Sequence, residues 1–160
     1  MTDWLRRAGR GRLPDGSDVA WSLAEGNRGR RWRWTIIDHG RLRHSGLVET
    51  DATGRFARLE LSSPIGLLVL HPEPDRRSIH GNVVSPDGVR PVAHAWSTTA
   101  GLTIAGDAFG SAILPPSIDD ASLVIRPRLG VVSGRGSPAL DRDERGVPIL
   151  DDAAEWPLED

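Results

Sequence analysis

The chain has 160 residues, 38 % of them apolar, and a formal net charge of −2. A chain of that length buries about 70 % of the surface its unfolded form exposes, so a single folded domain over 1–160 is the expectation and a disordered chain is excluded. It contains no cysteine, which excludes disulfides, thiolate catalysis and cysteine metal sites. Every basic residue is arginine, which excludes Schiff-base lysine chemistry and a phosphate-loop lysine.

No window reaches the roughly 18 consecutive apolar residues of a membrane span, so no transmembrane segment is expected. Met1–Leu13 is arginine-rich without an apolar core, unlike a secretory signal; a cytoplasmic location is the default. The charge is lopsided. Residues 1–45 hold ten arginines against five acids, and residues 136–160 hold two arginines against eight acids. Such asymmetry fits a nucleic-acid arm or two chain ends that meet in one fold. Because the whole chain is not basic, the second reading is preferred and no nucleic-acid partner is expected.

In chain order, residues 1–16 read as an N-terminal arm or short helix that ends in the turn Pro14-Asp15-Gly16. A strand over Asp18–Leu23 follows, then the turn Glu25-Gly26-Asn27. Next comes a row of short strands: Arg30–Ile37, Arg41–Thr50, Arg55–Leu61, Gly66–His71 and Arg77–Val84. Turn residues separate them about every 8–12 positions, the spacing of an antiparallel meander. Val89–Trp96 and Leu102–Ala105 continue it. Ala108–Ala121 reads as irregular because of Pro115-Pro116. Leu123–Arg128 and Gly130–Ser133 read as strands. Residues 134–160 read as an acidic tail packed on the sheet, with a short edge strand over Val147–Leu150 and Trp156-Pro157-Leu158 as an apolar anchor. The fold class is therefore all-β: an antiparallel meander closed or folded over as a β-roll, barrel or sandwich, with at most one short helix.

Period-2 geometry assigns faces. Trp32, Trp34 and Ile36 share one side and Arg31, Arg33 and Thr35 the other, so the arginine–tryptophan cluster is a half-buried strand rather than a stacking platform. Ala57, Leu59 and Leu61 oppose Phe56, Arg58 and Glu60. Gly66–Leu70 is apolar on both faces and reads as a central strand covered on both sides. In simple hairpin register one mixed row crosses the sheet: His44, Arg58 and Glu60, His80 and Asn82, then His94 and Trp96. These seven are the candidate ligand-binding residues, lining a groove on a curved sheet; an ordinary solvent-facing surface has the same pattern.

Chemistry beyond that is sparse. The five histidines, at 39, 44, 71, 80 and 94, lack the spacing of a metal site, although His71 and His80 flank one hairpin. No metal ligand and no cofactor is expected. The Gly-x-Gly pairs at 9–11 and 134–136 are not framed by a strand and a helix, no Gly-x-Ser-x-Gly elbow occurs, and Asp119-Asp120 and Asp151-Asp152 suit turns or caps better than acid/base work. No catalytic residue is assigned, and the enzyme reading is disfavoured.

The order Ser45-Gly46-Leu47-Val48-Glu49-Thr50-Asp51, Arg58-Leu59-Glu60-Leu61, Gly66-Leu67-Leu68-Val69-Leu70 and Ile79-His80-Gly81-Asn82 resembles the bacterial putative glycolipid-binding family. The similarity extends to Val124–Leu129 and Asp143–Val147, and covers roughly residues 30–150 by pattern. The family's Asn-Thr-Leu-Pro-Ile-Arg-Arg-Leu stretch is represented here only by Ile125-Arg126-Pro127-Arg128-Leu129. The resemblance implies a spiral β-roll with an apolar hollow and supplies no catalytic residue. The functional expectation is non-catalytic binding of a small amphipathic or apolar ligand in the hollow of the curved sheet. The alternative is a protein-interaction or accessory domain whose oppositely charged ends and exposed strand edges engage a partner or a second copy, as in a homodimer.

Overall fold

The computed structural model describes residues 5–97, 99–116, 122–126, 130–134 and 138–157. The meander runs through β1 (Leu5–Arg12), β2 (Asp18–Gly26), β3 (Gly29–Asp38), β4 (Arg41–Thr50), β5 (Phe56–Ser63), β6 (Gly66–Pro72), β7 (Ser78–Ser85) and β8 (Gly88–Ala95). Then follow β9 (Gly101–Ile104), α1 (Ala108–Ile113), β10 (Ser122–Arg126), β11 (Gly130–Ser133) and β12 (Asp151–Pro157). Strands β1 to β8 pair in sequence order, and β12 adds to β1, giving an open nine-stranded sheet with β12 and β8 as edges. Parallel β9 and β10, with antiparallel β11, make a second sheet. The chain is all-β and capped by a second layer rather than closed into a barrel. No helix among the described residues is long and apolar enough to cross a membrane.

Amphipathic alternation explains the layering. On the inner face Val19, Trp21, Leu23, Trp32, Trp34, Ile36, Val48, Leu59, Leu61, Leu68, Leu70, Ile79 and Val83 are all buried. They join one hydrophobic cluster with Leu102 and Ile104 of β9, Phe109 and Ile113 of α1, and Leu123 and Ile125 of β10. Each tryptophan removes roughly 150–250 Å² from water, and the rings pack obliquely: Trp21 on Trp32 at 5.5 Å, Trp32 and Trp34 on Phe109 at 6.2 and 6.1 Å. Space for these rings comes from glycine on the neighbouring strand. Gly9 stands opposite Trp21 and Gly46 opposite Trp34. A Cβ at Gly9 would meet the Trp21 ring at 2.5 Å.

Several expectations need correction. Residues 5–12 form a strand, not a helix or free arm, because β2 pairs with β1 along its whole length and β12 covers its other edge. Among the described residues the one helix lies at Ala108–Ile113, where irregular chain was expected; Asp107 caps it by accepting from the Gly110 amide at 2.7 Å. Val147–Leu150 is not an edge strand; the chain makes a bridge at Arg142 and Pro148, and the strand comes later as β12. Trp156 is 44 % exposed on that strand rather than an anchor. The β6 strand buries Leu68 and Leu70 fully but leaves Leu67 and Val69 half-buried, since the second layer covers one face only. Expectations for residues 1–4, Asp119-Asp120, Pro127–Leu129, the Gly-x-Gly at 134–136 beyond Gly134, and Leu158 fall outside the described residues.

The oppositely charged ends do meet. Arginine-rich β1 pairs antiparallel with acidic β12, where Arg12 Nη1 lies 3.0 Å from Asp152 Oδ2 and Arg7 Nη1 3.8 Å from Glu155 Oε1. Exposed pairs of this kind contribute little stability each; their sign pattern favours this pairing over others.

Two bulges reset the faces. The β3–β4 pairing slips between Ile36 and Ile37, leaving Arg43 unpaired, and the β4–β5 pairing slips between Glu49 and Thr50, leaving Ala57 unpaired. Each extra residue reverses which side the following residues face. Phe56 therefore turns inward, 1 % exposed against Trp96, although simple alternation places it outside.

Replacing Gly46 with alanine would drive a Cβ to 2.2 Å from the Trp34 ring. Gly46→Ala is expected to lower stability by about 1–3 kcal/mol, the usual cost of overpacking, read as a lower urea midpoint at unchanged slope.

Candidate functional site

The Arg43 bulge decides where His44 lies. In an unbulged hairpin Arg43 would stand opposite Ile36 and face the core; with the bulge, His44 takes that place and is 4 % exposed. Its Nε2 donates to Asp107 Oδ2 at 2.6 Å. The same oxygen accepts from Trp34 Nε1 at 2.8 Å, and Asp107 Oδ1 accepts from the Gly110 amide. Asp107 thus has no solvent contact and three donors from β3, β4 and α1. Gly110 makes room for it, because a Cβ there would meet Asp107 Oδ2 and the Trp34 ring at 2.7 Å each.

His44 forms the floor of an open cleft of about 850 Å³ at the C-terminal ends of β9 and β10. Leu42, Pro64, Ile65 and Ala105 give it apolar walls, and Arg43 and Arg126 bring guanidinium groups. Leu42 and Ile65 are 42 % and 39 % exposed, so this wall presents apolar surface to solvent. Arg43 is engaged: it donates to Asp15 Oδ2 at 3.0 Å, Asp38 Oδ2 at 3.2 Å and the Gly106 carbonyl at 3.2 Å. Partial burial alone would weaken its hold on the proton, but Asp15 and Asp38 more than compensate and raise its pKa. Burial likewise works against the Asp15 carboxylate, yet the Ser17 hydroxyl and amide and then Arg43 hold its pKa below the usual range. Arg126 is exposed and has no ion pair among the described residues.

The candidate row splits three ways. His44 faces inward at the cleft just described. Arg58, Glu60, His80 and Asn82 lie on the outer face, paired with Glu49, Val69, Ala93 and Pro91 respectively. His94 and Trp96 face inward at the far end of β8, because the two-residue turn Pro86-Asp87 pairs Ile79, not His80, with His94. They line a separate cleft of about 500 Å³ at the N-terminal ends of β9 and β10. The proposed single groove does not exist as one surface. Asp107 was missed altogether; the signal available was an acid three residues before Gly110, the spacing of a helix cap.

On the outer face His71 and His80 stack edge to face with ring centroids 4.0 Å apart. His80 Nδ1 lies 2.8 Å from Glu73 Oε1 without the alignment of a hydrogen bond. No group of three or more potential metal ligands converges among the described residues. Burial, then the proximity of His80 and of Arg58, depress the His71 pKa below its ordinary value.

With this geometry in place, comparison with other proteins adds nothing further: no family model, no curated protein and no solved structure matches the chain.

Two outcomes are expected. Asp107→Ala leaves the Trp34 and His44 donors buried and unpaired, and should cost about 3 kcal/mol in denaturant unfolding. Because the folded-state pKa of His71 is depressed, its neutral form is the one the fold favours. Stability from this site is present above pH ~6.5 and declines as the pH falls through the unfolded value toward the folded one. His71→Asn should flatten that decline, measured as unfolding free energy from pH ~8 to ~5.

Proposed function

We propose that the chain is a non-catalytic binding domain for a small amphipathic anion, seated in the cleft floored by His44. The observation that carries this reading is the pairing of an exposed apolar wall, Leu42 and Ile65, with the guanidinium of Arg126, which has no ion pair among the described residues, in one cleft of about 850 Å³, within the size range of small-molecule sites. Arg126 would take the anionic group, whose geometry a guanidinium matches. Arg43, already committed to Asp15, Asp38 and Gly106, would serve as wall rather than clamp. The hollow between the sheets is filled by tryptophan, phenylalanine and leucine side chains, so the ligand belongs at its mouth, not inside it. The resemblance to putative glycolipid-binding proteins agrees with an amphipathic ligand and adds no residue to the site.

The hydrogen bond to Asp107 supports a holding role for His44. Its Nε2 is spent on a carboxylate that also anchors Trp34 and α1, which suits a fixed floor. The interaction-domain alternative finds less support at the β8 edge, where Pro91 lacks a donor and Arg90 is exposed, both common guards against strand addition.

Isothermal titration with decanoate and with decanol tests the reading. Decanoate should bind, decanol should bind about tenfold more weakly, and Arg126→Ala should abolish the difference between them. Absence of decanoate binding, or equal binding of both by the unmodified chain, would remove it.

A further inference from the structure

The β6–β7 hairpin places two imidazoles side by side on the outer face of the large sheet. His71 and His80 are direct cross-strand partners, and such partners hold their Cβ atoms about 4.5–5.5 Å apart. Their ring centroids are 4.0 Å apart and their planes stand 83° from each other. Edge-to-face packing accounts for a contact of this kind, but not for the carboxylate beside it.

His80 turns one ring nitrogen toward the protein and its remaining ring edge toward water. Its Nδ1 is buried with Glu73 Oε1 2.8 Å away, while the side chain as a whole is 37 % exposed. A carboxylate beside Nδ1 favours the neutral tautomer with its proton there, which leaves the Nε2 lone pair for a ligand. The turn after β6 holds Glu73 in place: its amide donates to the Ser78 carbonyl and its carbonyl accepts from the Arg76 amide, each at 2.9 Å. Neither ring nitrogen of His71 is buried without a partner. Arg58 is the cation close to His71, and it is engaged by Glu60, whose Oε1 accepts from its Nε at 3.2 Å and from its Nη2.

An ion shared by two imidazoles is a transition-metal dication, since magnesium and calcium take oxygen ligands. Two imidazoles bound at right angles, with metal–nitrogen distances of about 2.0 Å, have centroids about 4.5 Å apart; a tetrahedral angle spreads them to about 5.2 Å. The observed 4.0 Å lies nearer the first, the tetragonal arrangement of nickel(II) and copper(II).

The geometry points to a surface site for a dication of the nickel(II)–copper(II) class, held by His71 and His80 across the β6–β7 hairpin, with Glu73 as the positioning residue behind His80. Among the described residues no group of three or more such ligands converges, so water fills the remaining positions and the ion is exchangeable. Bound there, it clips β6 to β7. The pair lies on the opposite face of the sheet from His44, so the site stands or falls independently of decanoate binding.

Isothermal titration of the full chain with nickel(II) chloride at about pH 7.5, where free imidazole is neutral, tests this. One ion should bind per chain at micromolar concentration, and magnesium should not bind. His71→Asn and His80→Asn should each weaken nickel about hundredfold, and Glu73→Gln about tenfold. Unfolding supplies a second readout: saturating nickel should raise the urea midpoint of the unmodified chain and leave that of His71→Asn unchanged. Nickel binding weaker than millimolar, or binding unchanged in either histidine variant, would mean that the two rings serve packing alone and would overturn the proposal. A midpoint raised equally in His71→Asn would also overturn it, by placing the ion elsewhere. Equal affinity in Glu73→Gln would overturn the positioning role of Glu73.

Discussion

A carboxylate without solvent contact persists only when its oxygens are supplied with donors, and Asp107 meets that condition by joining three elements. Trp34 comes from β3, His44 from β4 and the Gly110 amide from α1. The large sheet has one apolar face, which must be covered, and α1 with β9 and β10 does the covering. The hydrophobic effect drives that contact but does not orient it; the Asp107 hydrogen bonds do. They fix where α1 sits on the tryptophan row, and with it the mouth of each cleft at the ends of β9 and β10.

Two added residues in the strands, Arg43 and Ala57, shape everything downstream of that anchor. Each sits at a slip in the ladder, and each flips the side on which its neighbours lie. Without the first, Arg43 would enter the core and His44 would face water. Without the second, Phe56 would leave Trp96 without its edge-on partner. The inner row of Trp21 and Trp34 with Gly9 and Gly46 depends on the same register, since a ring can lie flat only over a residue lacking a side chain. The placement of the cleft residues follows from these slips more than from any motif. The arginine-lined cleft exists because a bulge turns His44 to its floor and Arg43 to its wall.

Polar pairing at the margins completes the arrangement. The two chain ends close the sheet edge as β1 and β12, with arginines meeting acids across the ladder, while the opposite edge, β8, carries Pro91 and Arg90. Open clefts are left at the two ends of the small sheet, where neither the strand ladder nor the tryptophan row reaches. Among the described residues, one end combines an apolar wall with arginine, and the other has no arginine, aspartate or glutamate in its lining.

Local chemistry alone determined the meander, its turns, the inward tryptophans and outward arginines of β3, and the proximity in sign of the two ends. Those depend on residues within one hairpin or on gross charge, which period-2 alternation and turn residues encode directly. Tertiary structure decided the rest: the faces of His44 and Phe56, the separation of Arg58, Glu60, His80 and Asn82 from His94 and Trp96, and the placement of Asp107 and Arg126. A bulge is one unpaired residue with no composition of its own, and a two-residue turn pairs odd positions with even ones, so cross-strand rows depend on register that no single strand carries. Asp107 lies 63 residues from His44 and 73 from Trp34, and only packing of the second layer onto the first brings that carboxylate to its donors.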